Sequence, residues 1–386
     1  MSKQRTAATR PRQRVLEFLH KEYLEGGRTD HRLPTIEELA VLIGVSQSTI
    51  RNAIRELSDQ GYLKTIQGRG TFVAKAEPVA RRPLVLASNI VSTRSNLTLN
   101  WSATIYYGAI NAAAQMPEGI TIHPVIAKPN QKEVVPTLME RMKFIDLLLL
   151  YGLRWPTIEM LDKLAIAYER EGKPVVWINP PTISSVKNFV SSDYFGAAWR
   201  VGKAWRLSGR RRVLYIPSFS VAASAANQLL LQGLTNGLMH YDQGGGELRV
   251  ELVQRLSPDT GREMMEQVLA DGYRPDAILC ESDFVGKGVV DYLREKSFGV
   301  PDEVSVVAGT GLHSTQEDHP GLSMLLQPME EIGAAAVQML YDRYRNGNRN
   351  YPGIYLPTAV YKGETTRAEE NRLLEKYEKQ PYLFLE

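Results

Sequence analysis

Continuous apolar runs alternate with helix-like segments through most of this chain, and this alternation restricts the possible folds more than any other feature. Four of the runs are LVLASNI (84–90), FIDLLLLYG (144–152), KPVVWINP (173–180) and DAILCES (276–282). Apolar runs separated by helices predict parallel strands that are covered by helices on both faces. About ten such strands are too many for one small sheet, so the pattern predicts two lobes.

Length and charge point to a further domain. A chain of 386 residues is longer than a single hydrophobic core usually supports. Residues 1–82 contain 15 Lys and Arg against 9 Asp and Glu, whereas the remaining residues contain 31 against 34. A basic first segment joined to a mildly acidic body is typical of a nucleic-acid-binding module attached to another function.

Composition also excludes several classes of protein. The chain has one cysteine, Cys280, so it cannot build a disulfide framework or a cysteine-rich zinc site. No apolar run approaches the roughly 20 residues of a membrane span. The first residues, MSKQRTAATRPRQR, are basic but lack the apolar core of a signal peptide. We therefore expect a cytoplasmic protein without a membrane partner.

Residues 11–75 carry the pattern of three helices followed by a hairpin. An apolar stripe predicts the first helix within 12–24. Thr35 and Glu38 have the spacing of a capping box at the start of the second helix, which Gly44 ends. Ser46 is placed to cap a third helix, QSTIRNAIRELSDQ. Two short strands at 62–66 and 71–73 flank the turn Gln-Gly-Arg-Gly.

The third helix has two contrasting faces. One face is an apolar stripe suited to burial, formed by Ile50, Ala53, Ile54 and Leu57. The opposite face carries hydrogen-bonding and cationic groups, namely Ser48, Arg51, Asn52 and Arg55. Such a face suits a helix that reads base edges in the major groove of DNA.

The stretch LPTIEELAVLIGVSQSTIRNAIRELSDQGYLKTIQGRGTFV resembles the winged helix-turn-helix of the GntR family along its whole length. The resemblance implies that the third helix reads double-stranded operator DNA and that the hairpin, the wing, approaches the sugar-phosphate backbone. Glu37 and Gln47 depart from the family, which often has arginine at both positions. Gln47 can pair with adenine, and Glu37 can accept a hydrogen bond from cytosine.

Arg51 matches the family's arginine in the reading helix and is the main candidate for a base contact. Thr49 matches a family threonine, and the wing glycines allow a close approach of the backbone. The residues expected to contact DNA are Thr35, Glu37, Ser46, Gln47, Ser48, Thr49, Arg51, Asn52, Gln67, Gly68 and Arg69.

A proline-interrupted, charged segment at 76–83 is expected to be a linker. Residues 84–366 resemble the LacI-type effector domain, which is related to periplasmic sugar-binding proteins. Two of the matching stretches are VSSDYFGAAWRVGKAWRLSGRRRVLYI and PDAILCESDFVGKGVVDYLREKSFGVPDEVSVVAG. The resemblance implies two Rossmann-like lobes, three chain crossings between them, an interlobe ligand cleft and a homodimer. A GntR head on such a body is the architecture of arabinose-responsive repressors.

Polar residues at strand ends locate a candidate cleft, because ligands of open parallel sheets bind at the carboxyl ends of the strands. Paired oxygen acceptors there suit a polyhydroxylated ligand such as a carbohydrate. The resemblance implies ligand contacts for Asp193, Asp283, Gln327 and the aromatic Trp101. Helix capping, crossover packing and ordinary burial are the alternatives. The expected effector-binding residues are Asn89, Trp101, Asn179, Asp193, Asp283 and Gln327.

Two departures bear on the identity of the effector. Leu230 stands where the family often has an arginine that grips the ligand, and Thr310 stands where an aspartate is usual. The cleft would therefore lack a cation and an acid. The effector would then be less polar, be held by other residues such as Arg154, or be absent.

The expected fold is therefore α/β, an N-terminal winged helix-turn-helix plus a two-lobed Rossmann-like periplasmic-binding-protein fold. The expected function is transcription regulation, as a repressor whose operator affinity a small effector modulates. The alternative is a constitutive regulator whose effector domain binds no ligand. No P-loop, nucleophile elbow or metal motif is present in the sequence, so we expect no enzyme activity, metal or cofactor. The tail, residues 367–386, is expected to be either a short packed helix or a solvated extension.

Overall fold

The structure is a computed structural model that describes residues 11–24, 29–74, 84–88, 96–117, 119–124, 134–151, 158–180, 187–218, 224–239, 246–311 and 321–378. The chain divides into two compact units, Met1–Arg82 and Pro83–Glu386. The division falls within the segment 76–83 that the sequence predicts as a linker.

The first unit is a three-helix domain with a small sheet. Its elements are α1 (Pro11–Leu19), α2 (Ile36–Ile43), α3 (Gln47–Asp59), β1 (Leu63–Ile66) and β2 (Gly70–Val73), and the two strands pair antiparallel. The predicted first helix changes to a π-helical turn at His20–Leu24. A wider turn brings residues five apart onto one side, and both Leu19 and Leu24 are buried in the core.

Local capping sets the bounds of α2 and α3. The Glu38 amide donates to Thr35 Oγ1 at 3.2 Å, and the Thr35 amide donates to Glu38 Oε2 at 2.7 Å. This confirms the capping box, and the two hydrogen bonds hold the pKa of Glu38 below its ordinary value. Gly44 ends α2 with a φ of 71°, and Ser46 Oγ accepts from the Thr49 amide at the start of α3.

Lobe 1 of the second unit contains a six-stranded sheet among the described residues, in the order β13-β7-β6-β5-β3-β4. Its first part comprises β3 (Leu84–Ser88), α4 (Asn96–Ala114), β4 (Ile120–Pro124), α5 (Val134–Glu140), β5 (Leu147–Tyr151), α6 (Ile158–Arg170), β6 (Val175–Ile178) and β7 (Phe189–Ser192). The later elements α11 (Met329–Arg345) and β13 (Ile354–Leu356) return to this lobe. All of its strand pairs are parallel.

Lobe 2 has a second six-stranded sheet in the described part, in the order β14-β12-β11-β10-β8-β9. Its elements are α7 (Tyr194–Leu207), β8 (Arg212–Ile216), α8 (Ala225–Met239), β9 (Glu247–Val250), α9 (Pro258–Ala270), β10 (Ala277–Cys280), α10 (Asp283–Glu295), β11 (Ser305–Gly311), β12 (Ser323–Leu326), β14 (Ala359–Tyr361) and α12 (Ala368–Glu378). Only the edge strand β14 pairs antiparallel in this sheet. The alternating apolar runs thus fold as two doubly covered sheets.

The chain passes between the lobes three times in the described residues. The first crossover lies at Asp193, between β7 and α7, and the second at Gln327–Pro328, between β12 and α11. The third lies at 357–358, between β13 and β14. The Asp193 amide donates to Leu356 O at 2.8 Å and so joins the first crossover to the third. Two parallel-sheet lobes with three crossovers confirm the predicted fold class.

Of the two alternatives for the tail, a packed helix is present over Ala368–Glu378. α12 packs on α7, where Leu374 is buried in the core of lobe 2 and Tyr377 contacts the Trp199 ring edge-to-face. No helix in the described ranges combines the length and apolar character that crossing a membrane requires. The same ranges contain no group of three or more His, Cys, Asp or Glu side chains placed to hold a metal ion.

Candidate nucleic-acid interface and ligand cleft

The polar face of α3 points away from the core of the first unit. Ile50, Ala53, Ile54 and Leu57 are buried against the rest of the first unit. Gln47, Ser48, Arg51 and Asn52 are exposed on the other side. The helix therefore buries its apolar stripe and exposes its hydrogen-bonding groups, as the sequence predicts.

The start of α3 is a hydrogen-bonded group of small side chains. Ser46 Oγ lies 2.8 Å from both Ser48 Oγ and Thr49 Oγ1. One turn later, the Arg51 guanidinium donates to Gln47 Oε1 at 3.3 Å. This weak, exposed bond aligns the two long side chains along one edge of the helix. It leaves most of the arginine's donors available to a base or a phosphate.

The wing presents a tight turn at its tip. Gln67, Gly68 and Arg69 are exposed between β1 and β2, and the Arg69 amide donates to Ile66 O at 3.0 Å. Gly68 has a φ of 76°, a left-handed conformation that a side chain would strain. Thr35 and Glu37 are exposed at the first turn of α2, where the Thr35 hydroxyl serves as the cap.

Gln327 is the centre of a buried polar cluster at the crossovers of the second unit. Its Oε1 accepts hydrogen bonds from Ser192 Oγ at 3.1 Å and from Tyr194 Oη at 2.9 Å. Ser192 ends β7 in lobe 1, whereas Tyr194 begins α7 in lobe 2. The Gln327 side chain is only 5% exposed, and its Nε2 has no acceptor among the described residues. A buried donor without an acceptor is costly, so this amide is a candidate ligand contact.

Asn179 extends the cluster along lobe 1. It follows β6 with a φ of 46°, and its Oδ1 accepts from Ser191 Oγ at 3.0 Å and from the Ser192 amide at 3.3 Å. Its Nδ2 is buried with no acceptor in the described part of the chain. Burial raises the pKa of the neighbouring Tyr151 phenol far above its ordinary value, so this residue is a neutral hydroxyl.

The two predicted cleft aspartates both lie at helix starts. Asp193 Oδ1 accepts from the Gly196 amide at 2.8 Å and caps α7. Asp283 is 4% exposed in the first turn of α10, where its Oδ1 accepts from the Phe284 amide at 2.9 Å. Asp193 thus makes the capping contact that was the alternative to ligand binding, whereas Ser282 is the N-cap of α10 and Asp283 is its first residue. Asn89 lies outside the described residues, and Trp101 belongs to α4 with its side chain outside the described part.

A small apolar cavity of about 20 Å³ lies at the carboxyl edge of the lobe 1 sheet. Ser88, Tyr151 and Ile178, which end β3, β5 and β6, line it together with Ile105 and Tyr106 of α4. Its position is where an open parallel sheet binds a ligand. This end of the lobe 1 sheet is therefore lined largely by apolar side chains.

Glu281 is a candidate residue that the sequence analysis did not identify. It directly follows β10, and its carboxylate accepts from both the amide and the hydroxyl of Ser218, which follows the neighbouring strand β8. Asn227 supports the same corner, because its Nδ2 donates to Ser218 O at 2.7 Å and its Oδ1 accepts from Tyr215 Oη at 3.2 Å. Burial raises the pKa of Glu281 above its ordinary value. Its place at a strand end was the only sequence signal.

Leu230 and Thr310 are the positions where the sequence departs from the LacI pattern. Leu230 is 1% exposed and packs in the core of lobe 2 with Tyr194 and Leu234. Thr310 lies in β11, with its side chain outside the described part. The helix position that would carry a cation therefore contributes an aliphatic side chain to the core.

Comparison with known proteins agrees with this architecture. Residues 24–73 match the family described as bacterial regulatory proteins, gntR family, and residues 218–366 match the periplasmic binding protein-like domain. The HTH-type transcriptional regulator IdnR of Escherichia coli K12 is 25% identical over 156 residues. The aligned part is 40% of this chain and 46% of IdnR. The HTH-type transcriptional repressor PurR of Mannheimia succiniciproducens is 21% identical over 81% of this chain and 92% of its own length.

Solved structures show the same fold. A lac repressor dimer bound to operator and the anti-inducer ONPF has a TM-score of 0.62 at 18% identity, over 75% of this chain and 96% of its own. A complex of the transcriptional regulator CelR with cellobiose has a TM-score of 0.58 at 22% identity, over 86% and 100%. The chain therefore carries one segment that matches the gntR family of bacterial regulatory proteins and another that matches the periplasmic binding protein-like domain.

Proposed function

We propose that this protein is a cytoplasmic transcription regulator, a repressor that binds operator DNA through α3 and the wing. A small effector in the interlobe cleft modulates that binding. The observation that carries the proposal is the exposed polar face of α3, with Gln47, Arg51 and Asn52 on a fold that buries its apolar face. In this class of domain, the corresponding helix lies in the major groove and reads base edges.

The effector is proposed to be a sugar or a related metabolite. CelR binds cellobiose, and that protein shares the fold of the second unit. The cleft of this chain offers buried amides at Asn179 and Gln327 and carboxylates at Asp193 and Asp283. Such groups suit a ligand rich in hydroxyls. Closing the lobes on a ligand would change the hydrogen bonds by which Gln327 joins the crossovers.

A homodimer on a palindromic operator is part of the proposal, because one small reading head gives limited affinity. One edge of lobe 2 supplies a surface for it. The edge strand β9 and the residues after it expose Val250, Leu252 and Leu256, and Met239 is exposed at the end of α8. An apolar sheet edge that pairs with no further strand in the described residues is a candidate surface for association.

The test has two stages with the full chain. Selection of bound sequences from random duplex DNA is expected to return a palindrome. A thermal-shift screen of sugars, sugar acids and nucleosides is then followed by operator binding with each hit. We expect at least one hit to change operator affinity, and Asp283→Ala to abolish that change without loss of DNA binding.

Three results would contradict the proposal in whole or in part. If no sequence is selected from the random duplex DNA, the protein does not bind a specific operator. If no compound stabilises the protein and Asp283→Ala regulates normally, a constitutive regulator replaces the sensor. Absence of specific DNA binding in a protein that binds a ligand would point to a different class of binding protein.

A further inference from the structure

Arg32 lies beside the wing, in an extended segment that precedes α2. The Leu33 amide donates to Thr71 O at 2.8 Å, and Arg32 forms an isolated antiparallel bridge with Phe72. Residues 30–33 therefore run along β2 as a short third strand. Leu33 is buried in the core of the first unit, and side chains alternate along an extended segment. Arg32 accordingly faces outward and is exposed.

The missing side chain at Gly70 makes room for the Arg32 guanidinium. A Cβ at Gly70 would lie 3.0 Å from Arg32 Nε and 3.6 Å from Arg32 Nη2. The guanidinium thus passes close over the backbone where the wing turn ends. The exposed residues 67–69, which are expected to approach DNA, come directly before Gly70. Arg32 is therefore held beside the tip of the wing.

The charge of Arg32 also reaches the first turn of α2. This turn carries two carboxylates, Glu37 and Glu38, which would repel the phosphates of DNA bound there. Hydrogen bonds with Thr35 are the main cause that lowers the pKa of Glu38, and the positive charge of Arg32 lowers it further. Arg32 therefore offsets part of the repulsion between this turn and a phosphate.

Arg32 differs from two other cations of the first unit in its partners. Lys64 forms an ion pair with Asp30, and Arg12 Nη2 lies 2.5 Å from Glu56 Oε2. The Arg32 guanidinium makes no hydrogen bond or ion pair with the residues that the structure describes. Its donors remain available to a phosphate, which a planar guanidinium binds through two parallel hydrogen bonds.

We propose that Arg32 binds a phosphate of the operator backbone between the wing and the first turn of α2, and that Gly70 positions its guanidinium. This inference rests on the proposed function, because it concerns the same DNA interface. It adds to that interface a cation that the sequence analysis did not identify. A phosphate contact supplies affinity and register but reads no base.

The experiment measures DNA binding of the full-length protein by fluorescence anisotropy over a series of salt concentrations. The probes are the duplex selected as operator and an unrelated duplex of the same length. Arg32→Gln is expected to reduce the slope of log affinity against log salt by about 0.9, the value of one phosphate contact. At about 0.1 M salt, both duplexes should bind roughly 5–10-fold more weakly, with an unchanged ratio between them. Arg32→Lys keeps the charge and should retain most of the slope.

Two controls separate a phosphate contact from a general change in charge or fold. Arg12→Gln removes an equal charge that Glu56 already offsets, so it should leave the slope unchanged. Gly70→Ala should lower the slope in the wild-type protein and have no further effect in the Arg32→Gln protein. Thermal melting shows which variants are folded, and the two Arg32 variants decide the matter if Gly70→Ala is not.

The inference is overturned if a folded Arg32→Gln protein keeps the wild-type slope, or if Arg32→Lys loses as much of the slope as Arg32→Gln does. It is also overturned if only operator binding weakens, because Arg32 would then read a base. In these cases the wild-type protein still binds its operator, and the proposed function stands. If the wild-type protein binds neither duplex, both proposals fail.

Discussion

The Tyr194 hydroxyl donates a hydrogen bond to Gln327 Oε1 at 2.9 Å, and this bond ties the first crossover between the lobes to the second. Ser192, on the lobe 1 side of the first crossover, donates to the same oxygen. One amide oxygen thus holds residues from both lobes. Any change in lobe orientation must stretch, keep or exchange these two bonds.

Tyr194→Phe is expected to lower the free energy of unfolding by about 0.5–1.5 kcal/mol, the net value of one buried hydrogen bond. It is also expected to weaken the effect of effector on operator affinity, because the crossovers lose one link. Denaturant unfolding and operator titrations measure the two effects. Tyr168→Phe is the control, since that phenol donates to Leu138 O at 2.8 Å within lobe 1. If both substitutions weaken the effect of effector on operator affinity equally, the Tyr194–Gln327 bond has no special part in that effect.

Arg51→Ala is expected to weaken specific operator binding by roughly 1–3 kcal/mol, because a base contact is lost from the exposed face of α3. Arg51→Lys keeps the positive charge but loses the planar fork, so it should bind nonspecific DNA normally and discriminate poorly. Fluorescence anisotropy across a salt titration measures both. Wild-type binding to the operator by the alanine variant would show that Arg51 reads no base.

Glu370→Gln is expected to destabilise lobe 2 by about 3–5 kcal/mol, because it leaves a buried arginine without its counter-charge. Arg210 Nε lies 2.8 Å from Glu370 Oε1, and the side chains are 3% and 1% exposed. The double variant Arg210→Met with Glu370→Leu should cost less than the single one, since it buries no charge. Thermal unfolding measures the stability of the two variants. A double variant that is less stable than Glu370→Gln would contradict this prediction.

Stability is expected to depend on pH through Glu281. Its folded pKa is raised above the ordinary 4.5, so its stabilising contribution is full below that value and is lost as pH rises through the folded pKa. The wild type should therefore lose stability relative to Glu281→Gln as the pH rises above 4.5. The exposed Glu159, whose pKa Lys163 lowers, is the control with the opposite sign. A difference between wild type and Glu281→Gln that does not vary with pH would exclude the burial of this carboxyl.

Leu252→Glu, on the exposed edge of lobe 2, is expected to shift the protein from dimer to monomer and to reduce operator affinity at least 10-fold, on the order of one disrupted apolar contact. Ile166→Glu is the control, because Ile166 is similarly exposed on α6 of lobe 1. Analytical ultracentrifugation measures the association. A stable dimer of the Leu252→Glu protein would place the interface elsewhere.

The sequence by itself determined the features that depend on neighbouring residues. Thr35, Glu38, Gly44 and Ser46 mark the ends of α2 and α3, because capping involves groups three or four residues apart. Continuous apolar runs indicated buried parallel strands for the same local reason. The polar face of α3 followed from its helical period. In each case the physical cause lies within one or two turns of chain.

Tertiary structure alone decided which polar side chains meet at the crossovers and at the strand ends of lobe 2. Gln327 meets Ser192 across 135 positions, and Glu281 meets Ser218 across 63. Such pairs depend on strand order and on where the crossovers bring the chain, which no local period encodes. Leu230 illustrates the same limit, because only the structure shows that its side chain packs in the core of lobe 2. Local periodicity sets secondary structure, whereas contacts between distant residues set the chemistry of the site.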